Sequence, residues 1–214
     1  SPKALFIPTA SGDADGYCAT FHKIYGNILG CKTDVLLLLH STPSYQALKK
    51  NILSSDLIYV GGGNTLAMIR RWRHLGVDKL LKKAYEQGIV MAGLSAGGIC
   101  WFDYGHSDSM KFYHPQQWSY IRVKGLGLIK GIHCPHFNSD QRRKDFLEFM
   151  MQHKDMGIAL EDRCALEVID GKFRIFSAHG KASGYKMYRA KQGVLIKEIP
   201  KNRFLPLGDL YEKG

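Results

Sequence analysis

The stretch Ile89-Val90-Met91-Ala92-Gly93-Leu94-Ser95-Ala96-Gly97-Gly98-Ile99-Cys100 decides how the rest of the chain is read. Ile89 to Ala92 is a short apolar run, as expected of a buried strand. Gly93 to Gly98 then forces a sharp turn, and Ile99-Cys100-Trp101-Phe102 reads as the apolar side of a following helix. Gly93-Leu94-Ser95-Ala96-Gly97 has the G-x-S-x-G spacing of a nucleophile elbow. Such a turn is tight, and residues without a Cβ on both sides let the serine hydroxyl stand clear of the sheet. The helix that follows adds N–H groups able to hold a developing oxyanion. The bland alternative is a strand-to-helix turn that only happens to contain a serine. Its place after a buried strand favours the catalytic reading.

Working outward, strands and helices alternate on the N-terminal side. Ala4 to Pro8 reads as the first strand, and the turn Thr9–Asp13 follows it. A helix then carries Tyr17, Phe21, Ile24, Tyr25 and Ile28 on one face and stops at Gly30. Val35 to Leu39 is a continuous apolar run, expected of a parallel strand covered on both faces. A short helix spans Ser44 to Leu53. The strand Leu57 to Val60 ends in Gly61-Gly62-Gly63-Asn64-Thr65, and helices cover about Leu66 to Gln87. Helices between buried strands predict an α/β fold with a mostly parallel sheet. Beyond the elbow, Asp103 to Ser119 reads as a long irregular loop near the site. Strands are expected at Ile121–Val123 and within 126–134, and a helix from Asp140 to His153 with Asp140 as its N-cap. The C-terminal part reads as two β-hairpins, one turning at Asp170-Gly171 and one at Gln192-Gly193.

Composition narrows the function classes. At 214 residues, 45% hydrophobic and 23% charged, the chain fits one globular α/β domain over residues 1–214. No apolar run approaches the roughly 18–20 residues of a membrane span, so no membrane partner is expected. Five scattered cysteines without a CxxC pair point to free thiols in a reducing compartment, and the N-terminus runs straight into a strand, so a cytoplasmic protein is expected. The net charge of +11 comes with a dense basic stretch at Arg70-Arg71-Trp72-Arg73. Those charges alternate with apolar residues at helical spacing and read as a solvated face, so no nucleic acid is expected either.

An activated serine needs a base, an orienting acid and an oxyanion hole. Of nine histidines, His136 sits just past a predicted strand beside Pro135, with His133 and His179 next best placed. His106 and His114 fall in the predicted loop and read as surface or substrate-side residues. The acid candidates are Glu161 and Asp162, adjacent in a turn. Gly61-Gly62-Gly63-Asn64, between a strand and a helix, suits backbone N–H groups approaching an anion, with the Asn64 amide helping. A phosphate loop is the weaker reading, since the Walker lysine is absent. A metal site at His133-Cys134-His136 is also weak, because no carboxylate or second pair lies nearby in sequence.

The ordered set Gly61-Gly62-Gly63-Asn64-Thr65, Gly93-Leu94-Ser95-Ala96-Gly97 and Cys134-Pro135-His136-Phe137, with the text GIALEDRCALEVIDGKFRI, resembles the peptidase E (aspartyl dipeptidase) and cyanophycinase family of serine peptidases. The resemblance implies a three-layer α/β sandwich of class I glutamine-amidotransferase-like (flavodoxin-like) type. It implies a cytoplasmic hydrolase of small peptides that needs no cofactor or metal, and a homodimer is in keeping with it. Residue by residue it implies Ser95 as nucleophile and His136 as base, with Gly62, Gly63, Asn64 and Ala96 N–H at the oxyanion. The acid stays open between Glu161 and Asp162: counting back from Ala165 favours Asp162, counting forward favours Glu161, and the balance leans to Asp162. The family's substrate-reading arginine falls in the helix after the histidine, where Arg142 and Arg143 stand after a shorter loop. Many relatives carry a strand before the one at Ala4, so a chain lacking an N-terminal strand is the expectation here. An esterase of α/β-hydrolase type is disfavoured, since its order is Ser, acid, His. A non-hydrolytic relative that binds a small anion or peptide is the remaining alternative.

Overall fold

The computed structural model describes residues 1–213, with the side chain of His179 outside the described residues. Its first half is a four-stranded, wholly parallel sheet of order β2-β1-β3-β4, made by β1 (Lys3–Ile7), β2 (Lys32–Val35), β3 (Leu57–Val60) and β4 (Val90–Gly93). Both faces of β1 and β3 are covered, as parallel strands require. The expected burial of the elbow strand is corrected: β4 is an edge of this sheet, none of its residues is buried and Val90 is 55% exposed. From β1, Leu5 and Ile7 enter the main core with Leu48, Ile52, Ile58, Val60 and Trp72, all at most 1% exposed. Ala4 and Phe6 face the other way, onto Phe21 of α1 (Asp15–Phe21). The helices on the main-core face are α2 (Tyr45–Leu53), α3 (Thr65–Leu75) and α4 (Val77–Glu86). Gly76, at φ 74°, closes α3 and lets α4 start at once.

The second half carries a mixed sheet of order β12-β11-β8-β7-β5-β6. Its strands are β5 (Phe102–Ser107), β6 (Ile121–Lys124), β7 (Ile129–Cys134), β8 (Gly157–Leu160), β11 (Gly184–Ala190) and β12 (Gly193–Glu198). Strands β5, β7 and β8 run parallel, continuing the parallel character of the first sheet, while β6, β11 and β12 add antiparallel edges. The short α5 (Ala96–Ile99) joins β4 to β5, and α6 (Asp140–Met151) packs Phe146 and Met150 against Ile132, Ala159 and Met187. A third, small sheet, β13-β10-β9, holds the hairpin of β9 (Cys164–Ile169) and β10 (Lys172–Ser177) with β13 (Leu205–Pro206). Asp170 and Gly171, at φ 47° and 70°, make the expected turn. No helix of the described residues is long and apolar enough to cross a membrane.

The α/β fold and mostly parallel sheet agree with the sequence reading, and further local expectations are corrected. The helix expected to carry Ile99–Phe102 ends at Ile99, and Phe102 already opens strand β5. The second strand ends at Val35, before most of the apolar run: Leu36 and Leu38 are buried, but the Leu38 and Leu39 N–H groups donate to the Asp13 carboxylate instead of a neighbouring strand. The predicted face of the first helix breaks, because the chain winds as a π-helix over His22–Ile28 and leaves Ile24 and Ile28 exposed. The N-terminal part of the predicted irregular loop is strand β5, so His106 is wholly buried, while His114 is exposed. Ser139, not Asp140, occupies the N-cap of α6. Strand β8, buried throughout, had no counterpart in the sequence reading.

Candidate active site

The turn between β4 and α5 is built by two glycines whose missing side chains let backbone pack directly on backbone. A Cβ on Gly93 would lie 2.1 Å from the Gly97 carbonyl oxygen, and one on Gly97 would lie 2.1 Å from that of Val60. This packing drives the α5 backbone against the ends of β3 and β4 and leaves Ser95 at φ 54°, ψ −112°, a region L-residues rarely occupy. The carbonyl of Ser95 accepts from Ile99 N at 2.9 Å and so opens the helix, while its hydroxyl stays free to turn outward.

Beside it runs the glycine turn. A Cβ on Gly62 would come 3.3 Å from Ser95 Cβ and 3.4 Å from the Leu94 carbonyl oxygen, so the glycine turn passes close beside the serine. Gly63 lies at φ 136°, with the Ala10 carbonyl in the space a side chain would need. Among the described residues no backbone carbonyl accepts from the N–H of Gly62, Gly63 or Ala96. Asn64 is different. Its N–H donates to Ala10 O at 2.8 Å and its Oδ1 accepts from Ala67 N at 3.0 Å, so it caps α3. The cap uses Oδ1 and the backbone N–H is spent on Ala10 O, so of the Asn64 donors the side-chain Nδ2 is the one left for an oxyanion.

The histidine arrives from the end of β7. His136, at φ 56°, presents Nε2 2.9 Å from Ser95 Oγ and Nδ1 2.5 Å from Asp162 Oδ1. Asp162 follows β8 and is gripped by Asn138: its N–H donates to Asn138 Oδ1 at 2.9 Å, and Asn138 Nδ2 donates to its Oδ2 at 3.3 Å. Partial burial works to raise the Asp162 pKa, but the His136 and Asn138 hydrogen bonds and the nearby charges of His136 and Arg142 outweigh it and hold the carboxyl below its usual range. Glu161 points elsewhere, accepting from Ser183 N at 2.8 Å and from the Tyr185 hydroxyl at 3.1 Å. Of the two acid candidates, the structure brings Asp162 to the histidine and uses Glu161 to fasten β11.

Two of the other histidines, His133 and His106, are committed elsewhere. His133 donates Nδ1–H to Ile158 O at 2.9 Å, stacks on Phe102, and burial pushes its pKa down to about 4. His106 meets Asp145 at 2.6 Å through Nε2, with Cys134 Sγ 3.7 Å from its Nδ1; burial lowers its pKa, opposed by Asp145. His133, Cys134 and His136 therefore serve three separate partners, and no group of metal-ligating side chains stands together among the described residues.

Arg142 is corrected as a substrate residue. The stripe Arg142, Phe146, Met150 is the buried face of α6, and Arg142 is only 3% exposed. Arg143 lies on the exposed face, its guanidinium 5.0 Å from the Phe137 ring centre. The sequence reading missed Asn138; no motif signals it, since its role depends on β8 returning Asp162 beside it.

A model described as Peptidase family S51 matches residues 1–176. This chain belongs to peptidase family S51. The S51 chain is 34% identical over 202 residues to an uncharacterized peptidase, YgaJ, of Bacillus subtilis (strain 168), covering 93% of this chain and 83% of that one. Two solved structures share its fold. A peptidase from an acI-B1 Actinobacterium aligns at TM-score 0.68 and 16% identity, over 95% of this chain and 83% of that one. A Listeria monocytogenes EGD-e protein named for peptidase E aligns at TM-score 0.59 and 18% identity, over 94% and 87%. The resemblance to the peptidase E family is borne out, and the S51 chain is a peptidase by family.

Proposed function

We propose that this peptidase works through Ser95 as nucleophile, His136 as base and Asp162 as orienting acid, on small peptides. The observation that carries the reading is the unbroken line from Ser95 Oγ through His136, at 2.9 Å and 2.5 Å, to Asp162. A carboxylate on Nδ1 keeps the proton there and leaves Nε2 free to accept from the serine. Ser95 attacks the peptide carbonyl while His136 takes its proton; His136 then gives that proton to the leaving amine, and water repeats the sequence on the acyl-enzyme. Proton transfer of this kind contributes about 10²–10⁴-fold in rate. The N–H groups of Ala96 and of Gly62 or Gly63 receive the oxyanion, each such donor contributing about 3–4 kcal/mol. Arg143 is the exposed one of the two candidate arginines on α6 and is free to meet a substrate carboxylate, which suits peptides with an acidic residue. A cytoplasmic location accords with the odd, scattered set of cysteines.

The test is intact-mass analysis after exposure to a fluorophosphonate. One adduct on wild type, absent from Ser95→Ala and His136→Ala, is expected, and a dipeptide library then finds the substrate. A well-folded wild type that takes no adduct would overturn the serine mechanism and favour a binding protein on the same fold.

A further inference from the structure

We propose that Arg142 is a positioning residue for His136, fastening the histidine loop to the glycine turn through a buried charged strap; the inference rests on the serine-peptidase reading. The guanidinium Nη1 donates to the Pro135 carbonyl at 3.1 Å, the peptide group immediately before His136. Its Nη2 lies 3.1 Å from Asp108 Oδ2, an ion pair off the alignment of a hydrogen bond. Its planar face rests 4.9 Å from the Tyr120 ring centre. A cation 3% exposed is stable only beside its partners, the Pro135 carbonyl and the Asp108 carboxylate, so releasing either end costs free energy and the link resists loosening.

Asp108 in turn belongs to a segment tied to the first turn of α3. Ser107 Oγ donates to Thr65 Oγ1 at 3.1 Å, Ser107 and Ser109 share a 2.8 Å hydrogen bond, and Leu66 N donates to Ser109 Oγ at 3.0 Å. Thr65 and Leu66 directly follow Gly61–Asn64. The strap therefore runs from the glycine turn, through Ser109, Asp108 and Arg142, to the Pro135–His136 peptide. His136 holds a left-handed backbone at φ 56° and is itself 38% exposed, so its own packing does not fix it fully. A distortion of about 1 Å at such a site is enough for a loss of roughly 10²-fold.

The experiment compares wild type with Arg142→Met, Arg142→Lys and Asp108→Asn, after thermal unfolding shows which variants fold. Two readouts are taken: the saturation and maximal rate of fluorophosphonate inactivation, and the far-downfield proton resonance of the His136–Asp162 hydrogen bond. For Arg142→Met the maximal rate should fall about 10–100-fold, with half-saturation unchanged and the resonance shifted or broadened. Arg142→Lys should recover part of the rate, since an ammonium can reach Pro135 O but not hold Asp108 in the same plane. Should Arg142→Met fail to fold, Asp108→Asn carries the test, with a loss of roughly 3–10-fold expected. Wild-type rates and an unmoved resonance in the folded variants would overturn the strap. Ser95 unlabelled in wild type would instead sink the serine mechanism, and the resonance, which needs no turnover, would still decide whether Arg142 positions His136.

Discussion

Replacing Asp162 by asparagine tests the site through a detail of its hydrogen bonding. Asn138 Oδ1 is held by the Asp162 N–H, which leaves Asn138 Nδ2 facing Asp162 Oδ2. In Asp162→Asn the side-chain oxygen must turn to that donor, because two NH₂ groups cannot face each other. The new amide NH₂ then points at His136 Nδ1 and makes it an acceptor. The ring proton moves to Nε2, which sits 2.9 Å from Ser95 Oγ and can no longer take the serine proton. A loss of about 10²–10⁴-fold in kcat/KM is expected, with thermal stability nearly unchanged. Adding Asn138→Ala frees the amide to flip and should return roughly tenfold of the activity. Glu161→Gln is the companion variant: it weakens the bonds to Ser183 N and the Tyr185 hydroxyl, costs about 1–2 kcal/mol of stability, and should keep activity within roughly threefold. Measured as fluorophosphonate second-order rates beside denaturant unfolding, an Asp162→Asn enzyme within threefold of wild type would refute the reasoning. So would an inactive, well-folded Glu161→Gln.

Three further outcomes are expected. Gly97→Ala sets a Cβ 2.1 Å from the Val60 carbonyl oxygen and should yield little soluble folded protein, judged by expression and circular dichroism; a cooperative wild-type-like melt would show that the elbow can relax. Phe146→Ala, at a wholly buried position, should cost about 3–5 kcal/mol in urea unfolding, and a loss under 1 kcal/mol would mean that α6 is not anchored there. The depressed Asp162 pKa should stabilise the fold above the usual carboxylate value of about 3.9 and fade as pH falls through the lower folded value. With a side chain 54% exposed, that contribution is under about 1 kcal/mol, read as the pH dependence of wild type minus Asp162→Asn unfolding; a difference growing at lower pH would contradict it.

The elbow was legible because its pattern is short: Gly93 makes room for the Gly97 carbonyl four residues on, and Gly97 for the Val60 carbonyl at the end of β3. The apolar runs at β3 and β4 could be read directly as strands, but the expectation that β4 is buried fails, because β4 is an edge strand with no buried residue. The run Val35–Leu39 misled because apolar burial does not distinguish a strand from a coil whose N–H groups find a carboxylate, here Asp13. Strand β8 reads Gly157-Ile158-Ala159-Leu160, with a glycine and an alanine among its four residues and one β-branched side chain, so it carried little strand signal. With β8 unseen, the return of Asp162 to Asn138 could not be read, and the choice between the adjacent acids rested on residue counts that only leaned to Asp162. Arg142 misled for a related reason. Arginine is seldom buried, and only the tertiary contacts with Pro135 and Asp108 reveal that this one is.

The backbone of Ser95 carries a consequence for how this sequence persists. At φ 54°, ψ −112° a serine sits where glycine would rest at ease, so the residue proposed to do the chemistry is one the fold alone would not choose. Selection for thermostability alone, in a laboratory screen or in a lineage that no longer uses the activity, therefore has a downhill route through Ser95→Gly. Only continued demand for turnover holds the serine there, and a library ranked by melting temperature needs an activity counter-screen to keep it.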